Sequence, residues 1–298
     1  MGKLTLQDKI IQICIYIILI ILAIITLYPF WNTFIISINN AGDTANGGVT
    51  IWPRVFTLAN YKVVLQNPDL LQSFFITILR TVVGTFLSIL FTSAFAFGLS
   101  RKGVYGKKVY TTLCLITMYF SGGIIPYYLL IVKMHMNNTF WVMVIPGIVS
   151  VYNMIVFRSF FMSLPESMIE SAKIDGANHI TIFFRLILPL SGSIIATLAL
   201  FTAVGHWNDW FYPSLFITSK HLYPLQSLLN QILATNAATD LMNVLSPGAQ
   251  QKLKELQEVS NRSMAATTIM VVTFPIIMVY PFVQKYFVKG VLIGSLKE

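Results

Sequence analysis

A chain of 298 residues that is 56% hydrophobic and only 10% charged departs from soluble composition, in which about a quarter of residues carry charge. With a mean hydropathy of +0.73 it reads as a polytopic, all-α membrane protein. The formal charge of +9 does not call for a nucleic-acid partner, because Lys and Arg stand in short clusters beside apolar runs, as the positive-inside rule predicts.

No charge occurs in residues 10–42, and about 20 apolar residues suffice to cross a bilayer, so this run predicts the first span, with Pro29 bending its outer end. It is too long for the apolar core of a cleavable signal and lacks a small-x-small site near its end, so it is expected to stay as an anchor. Residues 43–69, punctuated by Gly47-Gly48, Trp52-Pro53 and Asn67-Pro68, read as an external loop whose helical piece is 61–66. Residues 1–69 thus form an N-terminal helix and external loop, ahead of a membrane core at 70–285 and a tail at 286–298.

The second span is 70–100, interrupted by Arg80, which is expected at an interfacial or protein-facing position because a cation is costly in hydrocarbon. Arg101, Lys102, Lys107 and Lys108 follow at once, placing this loop in the cytoplasm together with the N-terminus that carries Lys3 and Lys9. The third span, 109–132, contains Gly122-Gly123 and Pro126 and predicts a kinked or discontinuous helix lining a pathway. A short outer turn leads to the fourth span, 139–157, which contains Pro146-Gly147 and returns the chain to the cytoplasm at Arg158.

A charged, glycine-hinged elbow, 163–189, comes next. Ser163, Leu164, Pro165 and Glu166 fit a capping box, with Ser163 as N-cap and Glu166 reaching back. Met168, Ile169 and Ala172 then share one helix side, Glu166, Glu170 and Lys173 another, and Gly176 stops the helix as a C′ glycine would. A second short helix shows a stripe at Ile180, Phe183, Phe184 and Ile187 and is closed by Pro189. By itself such an elbow is also compatible with a plain link between two spans.

The fifth span runs from Leu190 through Val204 to the aromatic-rich run Trp207-Asn208-Asp209-Trp210-Phe211-Tyr212. Residues 218–262 read as a long external loop, in which 236–261 is longer than a bare connection needs and is expected to contact a partner outside the membrane. The sixth span, 263–284, carries Pro275 and Pro281, and Lys285, Lys289 and Lys297 mark a cytoplasmic tail. Six spans with both termini inside follow.

Glu170, Ala172, Gly176 six residues later, and Leu188-Pro189 at the family's spacing resemble the "EAA" loop of type I ABC importer permeases. Ser171 and Leu186 depart mildly from the pattern. Asp175-Gly176-Ala177, Ser121-Gly122-Gly123-Ile124-Ile125-Pro126 and Tyr286-Phe287-Val288-Lys289-Gly290 extend the resemblance along nearly the whole chain, toward the smaller permease subunit of carbohydrate importers such as the maltose system and its Gram-positive oligosaccharide relatives. The resemblance implies a multi-pass permease of the cell membrane that carries no enzymatic activity. It implies a second, homologous permease subunit in a heterodimer, two ATPase subunits that hold ATP and Mg, and an extracellular lipid-anchored solute-binding protein. The elbow would then dock on an ATPase through Glu170, Ser171, Ala172, Asp175, Gly176, Leu188 and Pro189. The tail residues Gly290, Gly294 and Ser295 would insert between the ATPase subunits.

Trp207, Asn208, Asp209, Trp210 and Tyr212 combine ring faces with hydrogen-bonding groups, a pairing suited to sugars along a substrate pathway. Aromatic rings also gather at membrane interfaces for purely structural reasons, and both readings stand. No Walker A motif occurs, since Gly106-Lys107-Lys108 lacks the preceding spacing and a following Ser or Thr. Cys14 and Cys114 sit in apolar runs, and His135, His179, His206 and His221 show no ligand spacing, so no metal or cofactor is expected on this chain. His206 with Asp209 reads as interfacial hydrogen bonding. A permease for a non-sugar solute and a secondary transporter remain as alternatives; the latter needs carboxylates within spans, and only Asp209 comes near.

Overall fold

The computed structural model describes residues 6–45, 47–245 and 262–278. Helices dominate, and among the described residues the β pairing is limited to an isolated Asn39–Phe56 bridge. The chain belongs to two compact units: the described residues up to Pro68 with Leu229–Pro275, and Asp69–Leu228 with the described residues from Ile276.

In the first unit, α1 (Leu6–Ser37) runs through Pro29 and exposes apolar side chains all round, as a lipid-facing helix must. Only its last turn is enclosed. There Ile35, Ile36 and Ser37 are buried, and Asn39, fully buried, ties together the segment that follows. Its amide Nδ2 donates to Asp43 Oδ2 and Thr44 Oγ1, both at 2.9 Å, and its Oδ1 accepts from Val55 N. This network holds α2 (Ala41–Ala45) against the strand-like turn before α3 (Ala59–Gln66).

In the second unit, α4 (Pro68–Ser100) buries a row of polar residues among the apolar ones on its inner face and is apolar outside. Ser73, Thr77, Arg80, Ser88 and Thr92 are buried, whereas Phe75, Val82, Phe86 and Phe91 are exposed. That inversion is the signature of a span whose partners are other helices and whose solvent is lipid. Thr77 Oγ1 accepts from Leu225 N, and Thr92 Oγ1 both accepts from Ser150 N and donates to Ile148 O, so the hydroxyls fasten irregular backbone at either end.

The expected third span is divided into α5 (Lys107–Tyr119) and α6 (Ile124–Lys133), bent by 114° at the glycine pair, a discontinuous pair of helices in place of one straight span. The expected fourth span is not one helix. A 3-10 turn at Phe140–Met143 and irregular backbone around Pro146-Gly147 precede α7 (Val151–Ser163), because proline removes a donor and the following glycine favours no helix. The elbow comprises α8 (Glu166–Ile174), α9 (His179–Ile182), a π turn (Phe183–Ile187) and α10 (Leu188–Leu190); α11 (Gly192–Asn208) leaves it at 84°. After α12 (Phe211–Phe216), the stretch expected as a loop instead forms α13 (Leu225–Leu245), which contains no Gly or Pro and is rich in helix formers. The last described helix is α14 (Arg262–Met278). The end of the expected sixth span, the tail residues and most of the expected external partner contact lie outside the described residues.

The second unit's core joins α4, α7, the elbow and α11 through Ala96, Phe97, Met154, Phe157, Phe161, Ile182, Phe183 and Leu198. Phe97 packs on Phe183 at 5.4 Å and edge-on to Phe161 at 6.4 Å, while the Arg101 guanidinium lies 5.0 Å over its ring.

Candidate functional site

The elbow begins differently from the capping-box expectation. Leu164 precedes a proline and is driven to extended backbone, so α7 ends at Ser163, whose Oγ donates back to Phe160 O at 2.7 Å and caps nothing. Pro165 is the N-cap of α8, and the Glu166 carboxylate pairs instead with Lys102 Nζ in the loop after α4. The Lys102 hydrogen bond holds the Glu166 carboxyl below the usual carboxylate range, and Glu166 in turn raises the Lys102 ammonium. Both groups are exposed. Their attraction is complete at neutral pH, fades as pH falls through the lowered Glu166 value, and fades at the other extreme as Lys102 deprotonates.

In α8, Ile169 is buried and Ala172 half-buried, while Met168, Glu170, Ser171, Lys173 and Asp175 stay exposed. Gly176 has φ +79°, and the hydrogen bonds Ala177 N to Ala172 O (2.9 Å) and Gly176 N to Lys173 O (3.0 Å) complete a Schellman cap. A Cβ at Gly176 would meet nothing within 4 Å, so backbone conformation alone selects glycine here. Asn178 Oδ1 then caps α9 by accepting from Thr181 N at 2.8 Å.

The second stripe is rotated from its expected register. Ile180 is 70% exposed and Phe184 51%, whereas Ile182, Phe183 and Ile187 are buried. This run is apolar nearly all round, so periodicity could not choose a face, and the π turn adds a residue per turn: Leu188 N donates to Phe183 O, five residues back. The helix also passes Pro189 and bends only at Ser191, whose Oγ donates to Ile187 O at 2.6 Å. The result is an exposed polar rim, with Glu170, Ser171 and Asp175, on a base welded into the core by Ile169, Ile182, Phe183 and Ile187.

A second feature lies deeper in the same unit. A cavity of about 750 Å³ is lined by residues of α4, α6, α7 and α11 and of the segments at Pro146 and Asp209. At its wall Arg80, 2% exposed, forms an ion pair through Nη2 with Asp209 Oδ2. Its Nη1 donates to Asp209 O at 3.0 Å and its Nε to Met143 O at 3.4 Å. The protein-facing expectation for Arg80 holds. Its partner is the carboxylate nearest a span, and pairing the one lone cation with the one lone anion was the available signal.

Of the sequence-selected pathway residues, Asp209 and Tyr212 line the cavity and Trp207, Asn208 and Trp210 do not. Trp207 packs edge-on to Phe74 at 6.1 Å, Asn208 Oδ1 accepts from Gln226 Nε2 at 3.3 Å, and the Trp210 carbonyl accepts from Ser227 Oγ at 3.0 Å. The lining residues that the sequence reading did not select include Ser88, Tyr127 and the Asn153–Thr202 pair, hydrogen-bonded at 3.2 Å. His206 also lines it, with its ring against Gly84: a Cβ there would stand 2.6 Å from Nε2. Gly84→Ala is therefore expected to destabilise the detergent-solubilised protein by about 1–3 kcal/mol in thermal unfolding. In a His206→Ala background the same change should cost nothing measurable, which separates the ring clash from a general intolerance of alanine.

Residues 5–293 match the family model described as "Binding-protein-dependent transport system inner membrane component". Protein LplC of Bacillus subtilis is 39% identical over 279 residues, covering 92% of this chain and 90% of that protein. The polygalacturonan/rhamnogalacturonan transport system permease protein YtcP of Bacillus subtilis is 32% identical, covering 98% and 100%. Among solved structures, a chain from a bacterial ABC transporter involved in the import of the acidic polysaccharide alginate matches with a TM-score of 0.86 at 27% identity, covering 96% of this chain and 100% of that one.

Proposed function

The chain belongs to the family of binding-protein-dependent transport system inner membrane components, and from that membership we propose that it is the permease half through which a carbohydrate, taken up as an oligosaccharide, crosses the cell membrane. ATP hydrolysis is assigned to a separate pair of ATPase subunits, the other half of the pore to a second, homologous permease, and substrate delivery to an extracellular lipid-anchored binding protein. Six spans with both termini and the elbow on the cytoplasmic side complete the reading, with 70–285 as the permease core.

The observation that carries the coupling role is the build of the elbow. Its rim residues Glu170, Ser171, Asp175 and Gly176 are exposed, yet Ile169, Ile182, Phe183 and Ile187 fix its base to α4, α7 and α11. A push on the rim therefore moves the spans as a lever, whereas a floppy link would absorb it. Leu188 and Pro189 stand where the lever meets α11. Support for a carbohydrate comes from the names of YtcP and the alginate transporter, and Asp209 and Tyr212 place hydrogen-bonding and aromatic groups in the cavity.

Proteoliposomes containing this chain and its co-purified partners should accumulate a labelled oligosaccharide only with ATP inside and binding protein outside. Uptake driven by an ion gradient without ATP would make it a secondary transporter. ATP-driven uptake of a non-sugar solute alone would replace the substrate class.

A further inference from the structure

Resting on the reading of the chain as a sugar permease, we infer that the cavity beside Asp209 is a transient sugar site selective for neutral rings over uronates. Arg80 is the cation at the cavity wall, but its side chain is only 3% exposed and three of its N–H groups are committed to Asp209 and Met143. The Asp209 side chain, 24% exposed, is the more open member of that pair and lines the space. A ligand therefore meets a carboxylate whose oxygens accept hydrogen bonds, and hydroxyl groups can supply them while a second carboxylate cannot.

The remaining wall fits the same chemistry. Ser88 lines the cavity, and its buried Oγ has no hydrogen-bond partner among the described residues, an unmet capacity that a ligand hydroxyl would satisfy. Tyr127 and Tyr212 stand edge-on with ring centroids 5.7 Å apart, offering electron-rich faces to the C–H side of a sugar ring together with two phenolic hydroxyls. At about 750 Å³ the space is that of a small-molecule site, suited to a short oligosaccharide.

The test uses the whole transporter, purified in nanodiscs without binding protein, and two probes of matched length, neutral galactotriose and trigalacturonate, with dissociation constants from tryptophan fluorescence. Galactotriose should bind at least about tenfold more tightly than trigalacturonate. Ser88→Ala and Tyr127→Phe, which leave the ion pair intact, should each weaken galactotriose about threefold to tenfold. Asp209→Asn should narrow or reverse the preference. Equal or tighter binding of trigalacturonate, no binding of either probe, or galactotriose binding indifferent to Ser88→Ala and Tyr127→Phe would each overturn the site. Binding-protein-dependent uptake distinguishes the two readings: if an oligosaccharide is still imported, the permease assignment stands and only this cavity is excluded.

Discussion

Replacing Arg80 with leucine is expected to lower the stability of the purified chain by about 3 kcal/mol, among the largest losses any single substitution here should produce. The cation is buried at the wall of the cavity and carries three hydrogen bonds, two of them to Asp209. Removing it strands the Asp209 carboxylate inside the protein, and breaking a buried pair from one side typically costs about 3–5 kcal/mol. The lower end applies because the Asp209 side chain keeps 24% of its surface exposed. Replacing both partners removes the stranded charge, so Arg80→Leu with Asp209→Leu should recover most of the loss in thermal unfolding. A double variant as unstable as the single one would show that Arg80 acts through Met143 or through packing.

Gly176→Val should abolish transport while leaving the protein in the membrane at its normal level. The residue sits at φ +79°, where a β-branched side chain costs on the order of 1–2 kcal/mol although nothing crowds the position. The Schellman cap fixes the angle between α8 and α9, so losing it mis-sets the lever more than it unfolds the chain. Gly176→Asn is the control: asparagine tolerates the left-handed region, and transport should largely survive. Glu170→Lys reverses a charge on the exposed rim and should likewise uncouple ATP hydrolysis from uptake without affecting insertion. Normal transport by both Gly176→Val and Glu170→Lys would reduce the elbow to a linker.

The sequence made some of this legible and hid the rest for physical reasons. Charge-free runs and basic clusters exposed the membrane class, and Gly176 was readable because its terminating role is local, written in the residues on either side. The break at Gly122-Gly123 was equally visible, though its 114° magnitude was not, since dipeptides signal a bend without setting its angle. The face of 180–187 was illegible because a run apolar on nearly every side has little moment to point with, and the π turn rotated it further. Ser163 was misread because the capping-box pattern ignored the proline two residues on, which ends the preceding helix at Ser163 itself. The cavity was half visible. Asp209 and Tyr212 sit in a conspicuous aromatic run, but Ser88, Tyr127 and Asn153 reach it only through tertiary packing, from residues that taken singly look like ordinary helix content.

The lever account is tested most directly by a single cysteine at Ser171, with Cys14 and Cys114 replaced, in the transporter assembled with its ATPase. A short reagent that is thiol-reactive at one end and amine-reactive at the other should join this chain to the ATPase, and the yield should change when ATP is added. A Ser171 cysteine that labels freely from outside the cell and never forms an adduct with the ATPase would contradict the account.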